Sequence, residues 1–403
     1  MEFTISNRMK DMKGSAIREI FKVAADPTYI SLAGGNPAPE LFPAHELAEI
    51  AAELLEKQPV RALQYGVTEG DPELRTQVKE RLARVEKIGT NEDEVLIVSG
   101  GQQAIDLTTK NLINEGDTVI VEEPSFIGAL NAFRSFGAKL AGVPMDHEGM
   151  QPDALERVIA EHPGAKMIYT IPTFQNPMGV TMPLERRRAV YEIAKKHGLV
   201  IIEDNPYGEL AFDGVKVPTI KSMDTDGIVV YCGSFSKVLA PGLRIGFVCA
   251  NRALIQKLVV AKQVEDVHTP MLTQLLASEY LKRYNLDDAI VKMRALYRRK
   301  CAGMLAAIER YFPEGVTHTT PKGGLFVWCD LGHGLDTQKL TVQAMARKVV
   351  YVPGATFMTD MNRPCSGLRL NYSTMTDDRI EEGIRLLGEV FTEALDKLEE
   401  SDE

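Results

Sequence analysis

A lysine set among hydroxyl side chains is the most chemically suggestive feature of this sequence. The letters GSFSK end at Lys237 and follow an apolar run at residues 228–232. A lysine after a strand is usually a solvated surface residue, but a desolvated lysine has a lowered pKa and can attack a carbonyl carbon. Ser234, Ser236 and Arg244, which lies seven positions beyond the lysine, could hold a phosphate by hydrogen bonds and charge. We therefore expect an amine nucleophile beside a phosphate site.

A glycine-rich turn offers a second group of candidate phosphate contacts. Residues 99–104 read SGGQQA, between an apolar run at residues 95–98 and a helical pattern. Two glycines permit close approach of the backbone, and a helix N-terminus supplies free N–H groups and the positive end of a dipole. Turns of this kind are common without a ligand and match no specific nucleotide motif, so Gly101 and Gln102 remain candidates.

Polar side chains also follow two further apolar runs. Asn176 stands in the NPMG turn after residues 167–171, and Asp204 and Tyr207 stand in EDNPY after residues 199–202. A carboxylate at the end of an apolar strand is costly to bury unpaired, so Asp204 either caps the next turn or meets a cation. Asn176 either serves only the turn or directs its amide into a crevice.

The elements that would position these residues alternate between strand and helix patterns. Short apolar runs predict strands at residues 95–98, 118–121, 139–143, 167–171, 199–202, 228–232 and 245–249. Helical patterns fall between several of them, at residues 103–113, 126–136, 153–160 and 184–197. Such alternation predicts a mostly parallel α/β sheet. Because ligands bind beyond the carboxyl ends of parallel strands, the candidate residues should meet in one crevice.

The pattern changes after about residue 285. A long charged helix is predicted first, then two strands and an amphipathic terminal helix, at residues 286–312, 324–330, 367–372 and 378–399. We therefore predict a large domain at residues 45–285 and a smaller α+β domain at residues 286–403. The N-terminal segment, residues 1–44, is expected to pack with the small domain and the active site.

Composition narrows the class of protein. The 403 residues include 46 basic and 56 acidic side chains, and the net charge of −10 argues against general nucleic-acid binding. The five cysteines lack close Cys/His pairing, which argues against zinc, and their odd number suits a reducing compartment. We find neither a signal peptide nor an apolar stretch long enough to span a membrane. The expectation is a cytoplasmic enzyme with no metal, nucleic-acid or membrane partner.

Ten segments, spread over nearly the whole chain, carry a resemblance to a known family. They are SLAGGNPAPELFP (31–43), LQYG (63–66), SGGQQA (99–104), EEPSF (122–126), NPMG (176–179), EDNPY (203–207), SFSK (234–237), PGLRIGF (241–247), GGLFVW (323–328) and LRLNYS (368–373). In this order they resemble the class I and II aminotransferases, which are pyridoxal 5'-phosphate (PLP) enzymes of fold type I. Within that family the sequence is similar to the 2-aminoadipate, kynurenine and aromatic aminotransferases. The resemblance implies a large domain with a mostly parallel seven-stranded sheet and a smaller α+β C-terminal domain.

The resemblance implies a catalytic group around the cofactor. Lys237 matches the lysine that forms a Schiff base with PLP and shuttles the substrate's proton. Asp204 matches the partner of the pyridine nitrogen, whose protonation strengthens the ring as an electron sink. Asn176 and Tyr207 match the hydrogen-bond partners of the phenolic oxygen. Phe126 matches the ring that stacks on the cofactor, although many relatives carry tyrosine there.

It also implies the remaining contacts. The phosphate-binding set is matched by Gly101, Gln102, Ser234, Ser236 and Arg244, although close relatives often carry a hydroxyl residue at position 101. Tyr65 matches a tyrosine that reaches the phosphate from the other subunit, which implies a homodimer. Arg369 matches the residue that binds the substrate α-carboxylate, a role that suits a bidentate guanidinium. Gly35 lies where the family's N-terminal loop crosses the substrate.

The function that follows is an aminotransferase reaction (EC 2.6.1.-). An L-amino acid such as 2-aminoadipate or an aromatic or other broad-range donor would pass its amino group to a 2-oxo acid such as 2-oxoglutarate by a ping-pong mechanism. If Arg18 reaches the pocket, acidic side chains would be favoured; otherwise Arg18 is a solvated helix residue. The alternatives are a β-eliminating lyase or racemase of the same fold, and a non-catalytic effector domain. The latter is disfavoured because only about 30 residues precede SLAGG.

Overall fold

The structure is a computed structural model that describes residues 3–10 and 26–402. Its strands are β1 (Ile30–Ser31), β2 (Asp93–Val98), β3 (Thr118–Glu123), β4 (Lys139–Asp146), β5 (Gly149–Met150), β6 (Ala165–Thr170), β7 (Val200–Asp204), β8 (Val229–Ser234), β9 (Gly246–Asn251), β10 (Thr317–His318), β11 (Phe326–Asp330), β12 (Val349–Val350), β13 (Val352–Pro353) and β14 (Gly367–Asn371). Its helices are α1 (Asn7–Lys10), α2 (Ala44–Lys57), α3 (Pro59–Leu63), α4 (Pro72–Arg81), α5 (Gly101–Leu112), α6 (Ile127–Ser135), α7 (Pro152–Glu161), α8 (Leu184–His197), α9 (Arg252–Gln263), α10 (Met271–Arg283), α11 (Leu286–Tyr311), α12 (Thr337–Ala346) and α13 (Asp377–Asp402).

The largest sheet has the strand order β2-β9-β8-β7-β6-β3-β4-β5. Strands β4, β3, β6, β7 and β8 are parallel neighbours, and β9 runs antiparallel between β8 and β2. The predicted mostly parallel seven-stranded sheet is thus confirmed, with the two-residue β5 added at its edge. The central strands are continuous apolar runs because helices cover both faces of a parallel sheet; Val119, Ile120 and Val121, for example, are fully buried.

The order of the strands places a crevice at one edge of this sheet. From β3 the chain proceeds to β4 on one side, whereas β6, β7 and β8 follow one another on the other side. Ligands bind at such a reversal of strand order, beyond the carboxyl ends of the strands. The segments after β3, β6, β7 and β8, which carry most of the predicted site residues, therefore share this edge.

Several helices were not predicted by the apolar pattern. Helix α10 buries Gln274 and Ser278 together with its apolar side chains, so the hydrophobic periodicity of its sequence is weak. The predicted helix at residues 184–197 agrees with α8 and ends where Gly198 adopts a left-handed backbone (φ 67°), a common helix stop. No helix within the described residues combines the length and apolarity needed to span a bilayer.

The C-terminal third forms a separate four-stranded sheet of order β10-β11-β14-β13, in which all pairs are antiparallel. Strand β1 pairs in parallel with β12, through Ile30 with Val349 and Ser31 with Val350. The N-terminal segment is therefore joined to the C-terminal third by backbone hydrogen bonds. This pairing supports the division into segments 1–44, 45–285 and 286–403, which stays a prediction.

Candidate active site

A cavity of about 510 Å³ lies at the carboxyl edge of the large sheet. Every residue that the sequence predicted for the site lines it, except Tyr65 and Arg18. The lining residues among the predicted set are Gly35, Gly101, Gln102, Phe126, Asn176, Asp204, Tyr207, Ser234, Ser236, Lys237, Arg244 and Arg369. Arg18 lies outside the described residues, and Tyr65 stands on the surface with 80% of its area exposed.

Lys237 follows β8 and projects its amine into the cavity. Its Nζ donates a hydrogen bond to the Gly35 carbonyl at 2.7 Å, which joins the large-sheet edge to the N-terminal segment. Burial lowers the pKa of Lys237 to about 8, and the cationic Arg369 and Arg244 act in the same direction. A larger fraction of this amine is therefore neutral near pH 7 than of an ordinary lysine, and only the neutral amine is a nucleophile.

Asp204 ends β7, is buried, and lines the cavity. Its Oδ2 accepts a hydrogen bond from the Tyr169 hydroxyl at 2.7 Å. Burial raises the pKa of Asp204 to about 7, and the nearby Glu122 adds to the shift, while Tyr169 and Lys237 oppose it. This carboxylate is therefore poised to pair with a cationic group that enters the cavity. Sequence reasoning missed Tyr169, which lies within an apolar strand.

Hydroxyl groups and a guanidinium converge at one end of the cavity. The Ser234 hydroxyl donates to Ser236 Oγ at 2.9 Å, and the Ser236 N–H donates to Ser234 Oγ at 3.1 Å. Arg244 Nη2 donates to the Ser99 carbonyl at 3.1 Å. A Cβ at Gly100, whose φ is +83°, would lie 2.2 Å from that guanidinium, so only glycine fits there. This set of donors and positive charge suits a phosphate.

A buried polar network supports the glycine-rich turn from behind. Gln103 Oε1 accepts from the Ser99 N–H at 2.7 Å and from Lys262 Nζ at 2.6 Å. Lys262 also pairs with Asp266, whose Oδ2 accepts from the Ser99 hydroxyl at 3.0 Å. Ser99, in the turn before α5, is thus held through both its backbone N–H and its side-chain hydroxyl. Sequence reasoning did not find these supporting residues, because they are brought together from α5 and α9.

Arg369, on β14, reaches the cavity from the C-terminal sheet. Its Nη1 donates to Asn176 Oδ1 at 2.8 Å and its Nη2 donates to the Ala33 carbonyl at 2.6 Å. The guanidinium lies over the Phe326 ring, 4.2 Å from the centroid. Its Nε is buried without a hydrogen-bond partner among the described residues. Burial lowers the pKa of Arg369 to about 10, so the group is still cationic at pH 7.

The remaining wall of the cavity carries both polar and apolar side chains. Burial raises the pKa of Tyr207, while Arg369 and a hydrogen bond from Asn176 oppose the shift, so its phenol is a neutral hydrogen-bond partner. Gln102 Nε2 donates to the Gly128 carbonyl at 2.8 Å. Lining residues that the sequence did not predict are Asn36, Ile105, Ile127, Gly128, Asn131, Ile171, Pro206 and Phe326.

These residues fit a small, flat, phosphorylated carbonyl compound with a basic ring nitrogen. The neutral share of Lys237 could serve as the nucleophile for the carbonyl, Asp204 could pair with the ring nitrogen, and the end of the cavity near Arg244 could hold the phosphate. Within residues 3–10 and 26–402, no group of His, Cys, Asp and Glu side chains has the arrangement of a metal site.

Comparison with known proteins shows which family shares this sequence and architecture. The family model described as aminotransferase class I and II matches residues 27–387. An aromatic-amino-acid aminotransferase of Thermococcus litoralis is 41% identical, over 97% of this chain and 95% of the relative. The crystal structure of a multiple substrate aminotransferase from Thermococcus profundus matches with a TM-score of 0.93, 39% identity and 98% of both chains covered. The α-aminoadipate aminotransferase of Thermus thermophilus, complexed with N-(5'-phosphopyridoxyl)-L-leucine, matches with a TM-score of 0.88, 40% identity and 97% and 98% coverage.

Proposed function

The chain belongs to the class I and II aminotransferase family, whose members use PLP, and from that premise we propose a specific reaction for it. It transfers the amino group of an L-amino acid with an aromatic or 2-aminoadipate-type side chain to a 2-oxo acid such as 2-oxoglutarate, in two half-reactions of a ping-pong cycle. The observation that carries this proposal is the Lys237 amine, which faces the same cavity as Asp204 and the Arg244 cradle.

We further propose how the chain holds its cofactor. Lys237 binds the cofactor covalently, and Asp204 pairs with the ring nitrogen. Asn176 and Tyr207 hydrogen-bond the phenolic oxygen, and Phe126 stacks on the ring. The phosphate is held by Gly101, Gln102, Ser234, Ser236 and Arg244. The support for this arrangement is that all of these side chains line one cavity and match the donor types that each part of the cofactor needs.

The chain's own residues then divide the work. When bound, PLP supplies an electron sink for the charge that develops on the substrate's α-carbon. Arg369 binds the α-carboxylate and so orients the α-hydrogen toward Lys237. The Lys237 amine accepts that proton and gives it up again later in the same half-reaction. Its lowered pKa favours the first of these steps, because more of the amine is neutral. Gly35 lines the cavity and accepts a hydrogen bond from the lysine through its carbonyl.

The side chains that line the cavity bear on the choice of amino donor. Phe126, Ile127 and Phe326 give the cavity an apolar and aromatic wall, which suits aromatic donors. If Arg18 reaches the cavity, it would favour acidic donors such as 2-aminoadipate. The relatives named above include both an aromatic and an α-aminoadipate aminotransferase.

A donor screen tests the proposed reaction. The purified PLP-loaded protein should lose its visible cofactor absorbance when a productive amino donor is added without acceptor, and 2-oxoglutarate should restore it. Release of ammonia or pyruvate without a 2-oxo acid acceptor would instead indicate a lyase.

Arg18→Ala should weaken turnover of 2-aminoadipate by about tenfold while sparing aromatic donors, since one charge-assisted contact is lost. Equal losses on both classes would remove the role of Arg18 in selectivity.

We also propose a homodimer in which Tyr65 of one subunit reaches the phosphate site of the other. Large exposed apolar side chains gather on two neighbouring segments, as Val60, Leu63, Tyr65, Val67, Val260, Val264 and Val267. The segments touch, because the Tyr65 ring packs edge-to-face on His268 with centroids 5.8 Å apart. A second copy would bury these side chains. Apolar residues scattered singly over a surface are ordinary, whereas a group of neighbouring ones marks an interaction surface.

Val264→Glu should shift the protein from dimer toward monomer, because it places a charge in the centre of a buried apolar contact. Light scattering should report the change in mass, and the PLP dissociation constant should rise in parallel as the Tyr65 contact is lost. Val342→Glu is the matched control, since Val342 is similarly exposed on α12 but lies outside the patch. Equal masses for wild type and Val264→Glu would contradict this interface.

A further inference from the structure

The two carboxylate oxygens of Asp204 face different surroundings. Oδ2 is bound by the Tyr169 hydroxyl at 2.7 Å, within the sheet. Oδ1 lies on the side of the glycine-rich turn, where a Cβ built on Gly101 would be 4.0 Å from it. Since Gly101 lines the cavity, the oxygen that is not bound by Tyr169 is the one available to a ligand. The orientation of the carboxylate thus depends on its single phenolic donor.

Tyr169 is itself held rigidly. It is fully buried on β6, the strand next to β7, and its ring packs edge-to-face on Phe133 with centroids 5.5 Å apart. Burial raises the pKa of Tyr169 well above its ordinary value, and the charge of Asp204 adds to the shift. The hydroxyl is therefore a neutral donor, and the packing of its ring holds it beside the carboxylate.

Asp204 needs this donor because burial, and to a lesser extent a nearby buried acid, raises its pKa and favours its protonated form. Glu122, at 1% exposure, accepts hydrogen bonds from Thr170, Ile171 and Gln175, and its charge raises the pKa of Asp204. The other titratable groups around Asp204 are Lys237, Cys232 and Tyr207. Lys237 and the hydrogen bond from Tyr169 both favour the ionised carboxylate, and of these two residues it is Tyr169 that bonds the carboxylate directly.

We propose that Tyr169 is a positioning residue that keeps Asp204 ionised and directs its Oδ1 to the ring nitrogen of the cofactor. The inference rests on the proposed role of Asp204 as the partner of that nitrogen. If so, Tyr169 contributes both to the affinity for PLP and to kcat, although it lies within the sheet. A merely structural tyrosine would affect neither in a pH-dependent way.

The test compares Tyr169→Phe with Tyr231→Phe. Both changes remove one buried hydroxyl from a central strand, but the Tyr231 hydroxyl accepts from Asn205 Nδ2 at 3.0 Å and does not touch Asp204. The PLP dissociation constant of each purified protein should be measured by titration between pH 5.5 and 8.5. Steady-state kcat and KM for one good amino donor, together with the thermal midpoint of unfolding, complete the comparison.

Loss of a hydrogen bond to a charged group should weaken PLP binding by Tyr169→Phe about tenfold near pH 7 and lower kcat by a similar factor, with little change in KM. The pH below which PLP affinity declines should also move upward, because the variant's Asp204 protonates more readily. Tyr231→Phe should match wild type in PLP affinity, in its pH dependence and in kcat, while its thermal midpoint falls because Asn205 Nδ2 loses a buried acceptor. Wild-type affinity, pH profile and kcat in Tyr169→Phe would overturn the inference while leaving the proposed function intact. Failure of wild type to bind PLP would overturn both.

Discussion

Lys237→Ala is expected to lose amino transfer almost completely, with kcat reduced by about 10⁴-fold or more. The change removes the side chain that we propose both as the nucleophile that binds the cofactor and as the base that moves the α-proton. Among the residues that the structure describes, no other lysine lines the cavity. Arg369, whose pKa of about 10 leaves it cationic near pH 7, cannot replace a neutral amine.

The measurement is single-turnover formation of the 2-oxo acid from an amino donor, with PLP supplied in excess. Lys257→Ala serves as the control, since that lysine is exposed on α9 and remote from the cavity lining. The thermal midpoint of the Lys237 variant should stay at or above that of wild type, because the change removes a desolvated amine. Retention of a tenth of the wild-type rate would exclude Lys237 as the base.

Asp204→Asn should lower kcat by about 10²- to 10³-fold, since the cofactor loses the anion that favours protonation of its ring nitrogen. The replacement keeps the size of the side chain and can still meet Tyr169. Wild-type affinity for PLP should fall as the pH drops below about 7, where Asp204 takes up a proton. The variant has no such group, so its weaker affinity should lack that part of the pH dependence.

Glu203→Gln is the matched control for this change. Glu203 is the preceding residue of β7, and its side chain points to the other face of the sheet, where it accepts from the Ile220 and Lys221 N–H groups. Its loss should lower the thermal midpoint without changing the pH profile of PLP binding. A pH profile of Asp204→Asn identical to that of wild type would mean that another group controls the affinity.

Much of the scaffold is predictable from the sequence, because a strand buried on both faces must be a short continuous apolar run. Each of the seven predicted strands is present, and the residues that follow them, including Asn176, Asp204 and Lys237, meet at one edge of the sheet. The parallel arrangement alone brings such residues together. Arg369 could be assigned only through the family resemblance, since it comes from a separate sheet 193 positions beyond Asn176.

The supporting contacts were not predictable for a physical reason. The bond from Tyr169 to Asp204 depends on the register between β6 and β7, which no local pattern encodes. The need for glycine at Gly100 depends on where Arg244 places its guanidinium. The polar side chains buried on α10 likewise have their partners elsewhere in the chain, as Gln274 has with Asp71, and this weakened the helical pattern.

The most direct test of the central claim is to locate the covalent attachment of the cofactor. The protein is incubated with PLP, reduced with borohydride, digested, and its peptides are mapped by mass spectrometry. We predict that the phosphopyridoxyl group is found on the peptide containing Lys237 and is absent from Lys237→Ala treated in the same way. Modification confined to another lysine, or no modification of the wild-type protein, would contradict the assignment of this cavity as the PLP site.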